Sequence, residues 1–142
     1  MRFRRNAMKK KVILLVFVVV TSTLISLQDK KSFDLKASIT RGEQVYTGYC
    51  LSCHMDQGQG IESIYPPLAK SDYLMADKKR SIQQVLYGVT GEIKVNGKPY
   101  NLEMTGFDLT DEEASDLLNY IRNSWGNKGA AVTPAEVKAA RK

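Results

Sequence analysis

Apolar and polar positions divide the chain into stretches of different character. Val12 to Val20 is unbroken apolar sequence, and the pattern continues, diluted by Thr21, Ser22, Thr23 and Ser26, to Leu27. Residues 28–38 are mostly polar and hold no sustained period. From Ile39 the pattern becomes that of short helices and turns. Ile39 to Cys50 reads as a helix capped by Thr40, and Glu43 three residues later completes a capping box. Gly42, Tyr46 and Cys50 share one face of it, and Gly42 would let another helix approach closely. Tyr65-Pro66-Pro67-Leu68-Ala69 is extended, because a residue preceding proline is pushed out of the helical region. Asp72–Asp77 and Ser81–Tyr87 read as short helical pieces. Glu92–Tyr100 reads as a hairpin turned by Asn96-Gly97. Thr110-Asp111-Glu112-Glu113 opens a last helix with a second capping box. That helix carries Leu117, Leu118, Tyr120 and Ile121 and ends near Trp125-Gly126. Beyond Asn127 the chain is polar, with a short helix capped by Thr133 and led by Pro134.

These patterns divide the chain into a leader (1–27), a linker (28–38), a mainly helical domain (39–128) and a C-terminal tail (129–142). The leader begins with Arg2, Arg4, Arg5, Lys9, Lys10 and Lys11 and holds no acid. A basic run followed by an apolar stretch has the form of an export signal. As a helix, residues 12–27 would span roughly 24 Å, a little less than a bilayer core of roughly 30 Å. A cleaved signal peptide and an uncleaved anchor fit the segment equally. Either places the remainder outside the cytoplasm, in the periplasm or on the outer face of the bacterial membrane.

Charge narrows the function classes. The 142 residues carry a formal net charge of +6. All of that excess lies in the leader, and the remaining 115 residues hold 15 basic and 15 acidic side chains. A globally basic nucleic-acid binder is therefore disfavoured.

The chemistry concentrates in Cys50-Leu51-Ser52-Cys53-His54. The spacing C-x-x-C-H is that of c-type haem attachment. Two thiols on one helical turn can add to the two vinyl groups of a haem, and the next residue supplies an imidazole to the iron. Rival readings are weaker. A thioredoxin-like pair needs a βαβ context that does not precede the motif. A structural zinc site needs four ligands, and the chain has two cysteines and one histidine. A structural disulfide would leave His54 without a role. Because His54 is the only histidine, a sixth iron ligand would be methionine, water or something rarer. Met55 adjoins His54 and cannot reach the opposite face. Met75 lies in a helical piece that favours packing. Met104 lies in a loop before the last helix and is the best candidate, since a thioether suits haem iron and raises its potential. The Tyr65–Ala69 stretch offers backbone carbonyls able to accept the other ring N–H of His54.

Gly42-x3-Tyr46-x3-Cys50, Cys50-x2-Cys53-His54, Pro66-x-Leu68, Met104 and Asn119-Tyr120-Ile121 together resemble class I c-type cytochromes. The resemblance covers residues 39–126. It implies an all-α cytochrome c fold with a small β-hairpin insertion, and one covalent haem c. Cys50 and Cys53 would form the thioethers, and His54 and Met104 would be the axial ligands. The Pro66 carbonyl would hold His54, Leu68 would pack on the haem, and the end helices would cross at Gly42 and Tyr120. A finer resemblance runs through Pro66–Leu74, Val95-Asn96-Gly97, Tyr100-Asn101, Asn123–Asn127 and Thr133–Val137. These segments look like the cytochrome c domain fused to some copper nitrite reductases. A chain with one histidine cannot hold those copper sites, so only electron delivery carries over.

The function expected is one-electron transfer, not catalysis. The partners would be redox proteins: a reductase, an oxidase or a quinol-oxidising complex. Lys78, Lys79 and Arg80 form either a docking patch for one of these or, more simply, a solvated helix end. The alternative is a haem protein with an open sixth position, a ligand sensor or peroxidase-like enzyme, which requires that Met104 not bind iron.

Overall fold

A computed structural model describes residues 33–142, so the expected leader and residues 28–32 of the linker lie outside it. The described residues form α1 (Leu35–Tyr49), α2 (Leu51–His54), α3 (Asp72–Ala76) and α4 (Lys78–Tyr87). Then come β1 (Gly88–Val89), β2 (Ile93–Val95), β3 (Lys98–Tyr100), β4 (Met104–Thr105), α5 (Asp111–Ile121) and α6 (Pro134–Ala140). Among the described residues no helix is long and apolar enough to cross a membrane.

Helix α1 starts five residues before the cap expected at Thr40. Asp34 is the cap, its carboxylate accepting from the Ala37 N–H at 3.0 Å. Thr40 lies inside the helix and donates to the Lys36 carbonyl. Residues 35–38, assigned above to the linker, are thus its first turn. The cause is tertiary. Ser38 is fully buried and donates to Asp116 at 2.6 Å, while Arg41 grips both oxygens of the same carboxylate at 2.6 and 2.8 Å. These contacts reward extra helix, and Asp34 is as good a cap as threonine.

The crossing of α1 and α5 is as tight as Gly42 suggests. A Cβ on Gly42 would stand 1.9 Å from the Asp116 carbonyl oxygen and 2.8 Å from the Tyr120 Cβ. Helix α5 begins with the expected capping box of Thr110 and Glu113. It ends at Ile121, four residues before Trp125, because side-chain amides take over from the helical ladder. Asn127 donates to the carbonyls of Ile121 and Leu68 at 2.6 and 2.9 Å and accepts the Lys70 N–H at 2.8 Å.

The C-terminal residues are not a detached tail. Asn119, with no exposed surface, pairs with both backbone groups of Val132 at 2.7 Å and donates to Ser38 at 2.9 Å. Helix α6, capped by Thr133 as expected, then lays Val137 and Ala140 into the same core as Ile82, Leu117 and Leu118.

The hairpin pairs Ile93 with Tyr100 and Val95 with Lys98. Asn96 and Gly97 both have positive φ, +51° and +78°, as a type I′ turn requires. A second pairing has no turn signal in the sequence: β1 runs antiparallel to β4, with Gly88 opposite Thr105 and Val89 opposite Met104.

Candidate functional site

Helix α1 delivers Cys50 as its C-terminal cap, and α2 is a single turn carrying Cys53 and His54. No disulfide joins Cys50 and Cys53. Burial, with the neighbouring Cys53 adding to it, pushes the Cys50 thiol up to about 12. The chain leaves α2 through Met55 at φ +64° and is then clamped from behind. The Tyr46 hydroxyl donates to the Met55 carbonyl at 2.6 Å, and the Trp125 indole donates to the Asp56 carbonyl at 3.0 Å. The rings of Tyr46, Tyr120 and Trp125 lie 5.1–5.4 Å apart, within the range of favourable aromatic pairs.

The loop returns when the Leu68 and Ala69 N–H groups donate to the Gly58 carbonyl at 2.7 and 2.9 Å. That return brings the Pro66 carbonyl to 2.9 Å from Nδ1 of His54. A carbonyl only accepts, so Nδ1 carries the proton and Nε2 keeps its lone pair. Burial lowers the His54 pKa, opposed by the Pro66 contact. The ring is thus neutral and oriented, the form in which imidazole binds a metal.

Met104 does not sit in a loop. Its backbone pairs with Val89, which fixes it on the wall beside α4. Gly88, at φ +85°, makes this approach possible: a Cβ there would stand 2.3 Å from the Met104 carbonyl oxygen. Neither residue announces this alone, because the pairing joins segments fifteen positions apart.

Cys50, His54, Pro66, Val89, Ile93, Met104 and Phe107 line both an inner cavity of about 80 Å³ and an outer one of about 410 Å³. The two form one cleft. Leu68, Leu74, Val85, Leu117 and Ile121 close its inner part. Cys53, Tyr65 and Tyr100 line the outer part, with Tyr49, Ile64 and Leu102 half-exposed at its mouth. The fold thus brings Cys50, Cys53, His54, Pro66, Leu68 and Met104 to one cleft. Hairpin alternation puts Ile93 and Tyr100 on one face. Tyr49, Ile64, Tyr65, Tyr73, Gln84, Val89 and Phe107 carried no sequence signal of their own and meet only in three dimensions. Met75 packs against the core.

The donor set suits a large, flat, mostly apolar group better than a small ion. The walls are hydrophobic, the thiols stand at one edge, and one thioether and one neutral imidazole are the soft donors available. Among the described residues no three His, Cys, Asp or Glu side chains cluster to hold a metal ion by themselves. The basic trio on α4 is largely spent on internal contacts. Lys78 donates to the Ala131 carbonyl and pairs with Glu136, and Arg80 stacks on Tyr73.

Comparison with known proteins agrees with this chemistry. The family model for cytochrome c matches residues 39–125. Cytochrome c-552 of Thermus thermophilus is 40% identical over 91 residues, covering 61% of this chain and 69% of that protein. The cytochrome c subunit of a quinone-dependent alcohol dehydrogenase from Gluconobacter oxydans is 34% identical over 98 residues, 66% of this chain. The gluconate 2-dehydrogenase cytochrome c subunit of Pantoea cypripedii is 34% identical over 106 residues, 71% of this chain. The match spans only 20% and 24% of those two subunits. The finer likeness to the nitrite reductase domain rests on the residues quoted for it alone. With a C-x-x-C-H turn, an oriented imidazole and a methionine on one apolar cleft, and with these relatives, the chain belongs to the cytochrome c family: it carries a covalently bound haem c and is an electron-transfer protein, not itself an enzyme.

Proposed function

We propose that this chain is an exported mono-haem carrier of single electrons, with Cys50 and Cys53 as thioether sites and His54 and Met104 as axial ligands. The observation that carries this reading is the pairing of His54 and Met104 on the walls of one cleft, with Nδ1 of His54 held 2.9 Å from the Pro66 carbonyl. Bound haem supplies one-electron iron chemistry. The chain's own residues do the rest. Pro66 fixes the imidazole and leaves Nε2 as the metal donor. Leu68, Val85, Leu117 and Ile121 exclude water from the inner cleft. The β1–β4 pairing holds the Met104 backbone still, so a thioether bound there would not move between redox states.

The basic leader and apolar run support export, as a soluble or anchored protein in the periplasm. The dehydrogenase cytochrome subunits among the relatives support a redox enzyme as the donor. A reductase, an oxidase or a quinol-oxidising complex fits the other end. Tyr49, Ile64 and Leu102, exposed by 48%, 47% and 54%, give such partners an apolar surface at the mouth of the cleft.

The test is an absorption spectrum of the full chain matured in a host that attaches c-type haem, beside Met104→Ala. The wild type is expected to be low-spin in both redox states, with a sulfur-to-iron charge-transfer band when oxidised. The variant is expected to lose the band, turn high-spin and fall in potential, since methionine ligation raises it. A wild type already high-spin would overturn Met104 ligation and favour an open-site haem protein.

A further inference from the structure

The carbonyl that orients His54 belongs to the loop over residues 56–70, and two side chains from beyond α5 hold that loop at both of its strands. On the outgoing strand the Trp125 indole donates to the Asp56 carbonyl at 3.0 Å. On the returning strand Asn127 donates to the Leu68 carbonyl at 2.9 Å and accepts the Lys70 N–H at 2.8 Å. A third bond, from Asn127 to the Ile121 carbonyl at 2.6 Å, fastens the same amide to the end of α5. Within the loop the strands are joined by backbone bonds, from the Leu68 and Ala69 N–H groups to Gly58 and from the Gly60 N–H to the His54 carbonyl. Its tip meets the hairpin through the exposed Lys98–Glu62 pair, a kind of contact that adds little.

The fit of the clamp is close. A Cβ on Gly58, at φ +61°, would stand 2.4 Å from the Trp125 ring. Trp125 itself sits at φ +52°, a conformation that costs a bulky L residue energy unless its surroundings repay it. Asn127 is buried, yet neither it nor Trp125 lines the cleft. Whatever they do for the site, they do through the loop, and the loop meets the imidazole at the Pro66 carbonyl, 2.9 Å from Nδ1.

We propose that Trp125 and Asn127 are positioning residues for His54. By holding both strands of the loop they keep the Pro66 carbonyl on Nδ1, and so set the donor strength of Nε2 and hold the reduction potential of the site down. The inference rests on the haem reading of the cleft. Its direction follows from the hydrogen bond: a carbonyl that draws on the Nδ1 proton makes the imidazole more basic, and a more basic ligand favours the more positive iron. A loosened loop weakens that preference.

The experiment is redox titration of full-length holoprotein. Trp125→Phe keeps a ring beside Tyr46 and Tyr120 and removes the indole N–H. Its equilibrium constant for electron uptake is expected to rise about three- to tenfold, a tenfold rise being about 59 mV. Asn127→Ala is expected to shift it the same way, and either variant serves if the other fails to fold. In proton NMR of the reduced protein, the His54 Nδ1 proton should exchange slowly in the wild type and about tenfold faster or more in the variants, as local opening becomes easier. Asn119→Ala, which loosens α5 away from this loop, is the control and should leave both readouts unchanged. If Trp125→Phe and Asn127→Ala keep their potentials within twofold in equilibrium constant, or lower them, this inference falls while the haem reading stands. It falls equally if Asn119→Ala moves the potential as far, since the shift would then report lost stability. A wild type without covalent haem would overturn both readings.

Discussion

The two ends of α1 meet opposite surroundings. At its start, the crossing with α5 is closed by the protein's own groups. Ser38, Arg41, Asp116, Asn119 and Val132 satisfy one another, and Gly42 lets the two backbones touch. At its end, Cys50 opens onto a cleft whose apolar walls line a cavity and whose oriented imidazole, His54, and methionine, Met104, come from different segments. The crossing is a scaffold complete in itself. The cleft is a surface shaped for a group that supplies the missing contacts, and in a domain of about a hundred residues those contacts are a large share of the core.

The sharpest way to break the comparison is to remove the attachment. Cys50→Ser with Cys53→Ser is expected to abolish covalent haem, read as loss of haem staining on a denaturing gel. Its haem-free form should show poor dispersion in amide NMR spectra. A well-dispersed spectrum would mean the cleft half is as self-sufficient as the crossing.

At the crossing, Gly42→Val drives side-chain atoms into the Asp116 carbonyl and should destabilise the holoprotein by about 3 kcal/mol or more. The denaturant midpoint would fall at unchanged slope. Asn119→Ala leaves the buried Val132 N–H without a partner, while the Val132 carbonyl keeps Ser115 and the Ser38 hydroxyl keeps Asp116. It should cost about 1–3 kcal/mol by the same measurement. If neither variant altered the haem spectrum below its midpoint, scaffold and site would be separable. If Asn119→Ala shifted the spectrum, the C-terminal segment would be part of the site's support.

The smallest effect belongs to the surface pair of Lys78 and Glu136. Lys78 first, with the Thr133 groups helping against burial, holds Glu136 below the usual carboxylate range. A lowered acid contributes stability above its unfolded pKa and loses it as pH falls through its folded one. Glu136→Gln should therefore cost under about 1 kcal/mol at neutral pH, since the pair is partly exposed. The gap from wild type should close on acidification below the ordinary carboxylate range, as read by thermal midpoints across pH.

Local chemistry explains what could be foreseen. A capping box, an Asn-Gly turn, a glycine at a helix contact and the C-x-x-C-H turn each act within a few residues, so Thr110, Thr133, Asn96-Gly97 and the attachment motif were legible directly. The start of α1 cannot be read locally, because Asp34 and Thr40 are equivalent caps. Burial of Ser38 against Asp116, 78 positions away, decides between them. The end of α5 falls before Trp125-Gly126 because Asn127, six positions on, reaches back to Ile121.

The sequence by itself determined the cofactor chemistry: the thiol spacing, the single histidine and the scarcity of alternative ligands are matters of inventory. Only the tertiary structure decided how the cleft is walled. It paired Val89 with Met104, brought Pro66 to His54, folded the C-terminal residues into the core and set Trp125 and Asn127 against the loop that carries Pro66. Those contacts join segments far apart along the chain. Their energy comes from burial and mutual hydrogen bonding, which no local pattern encodes.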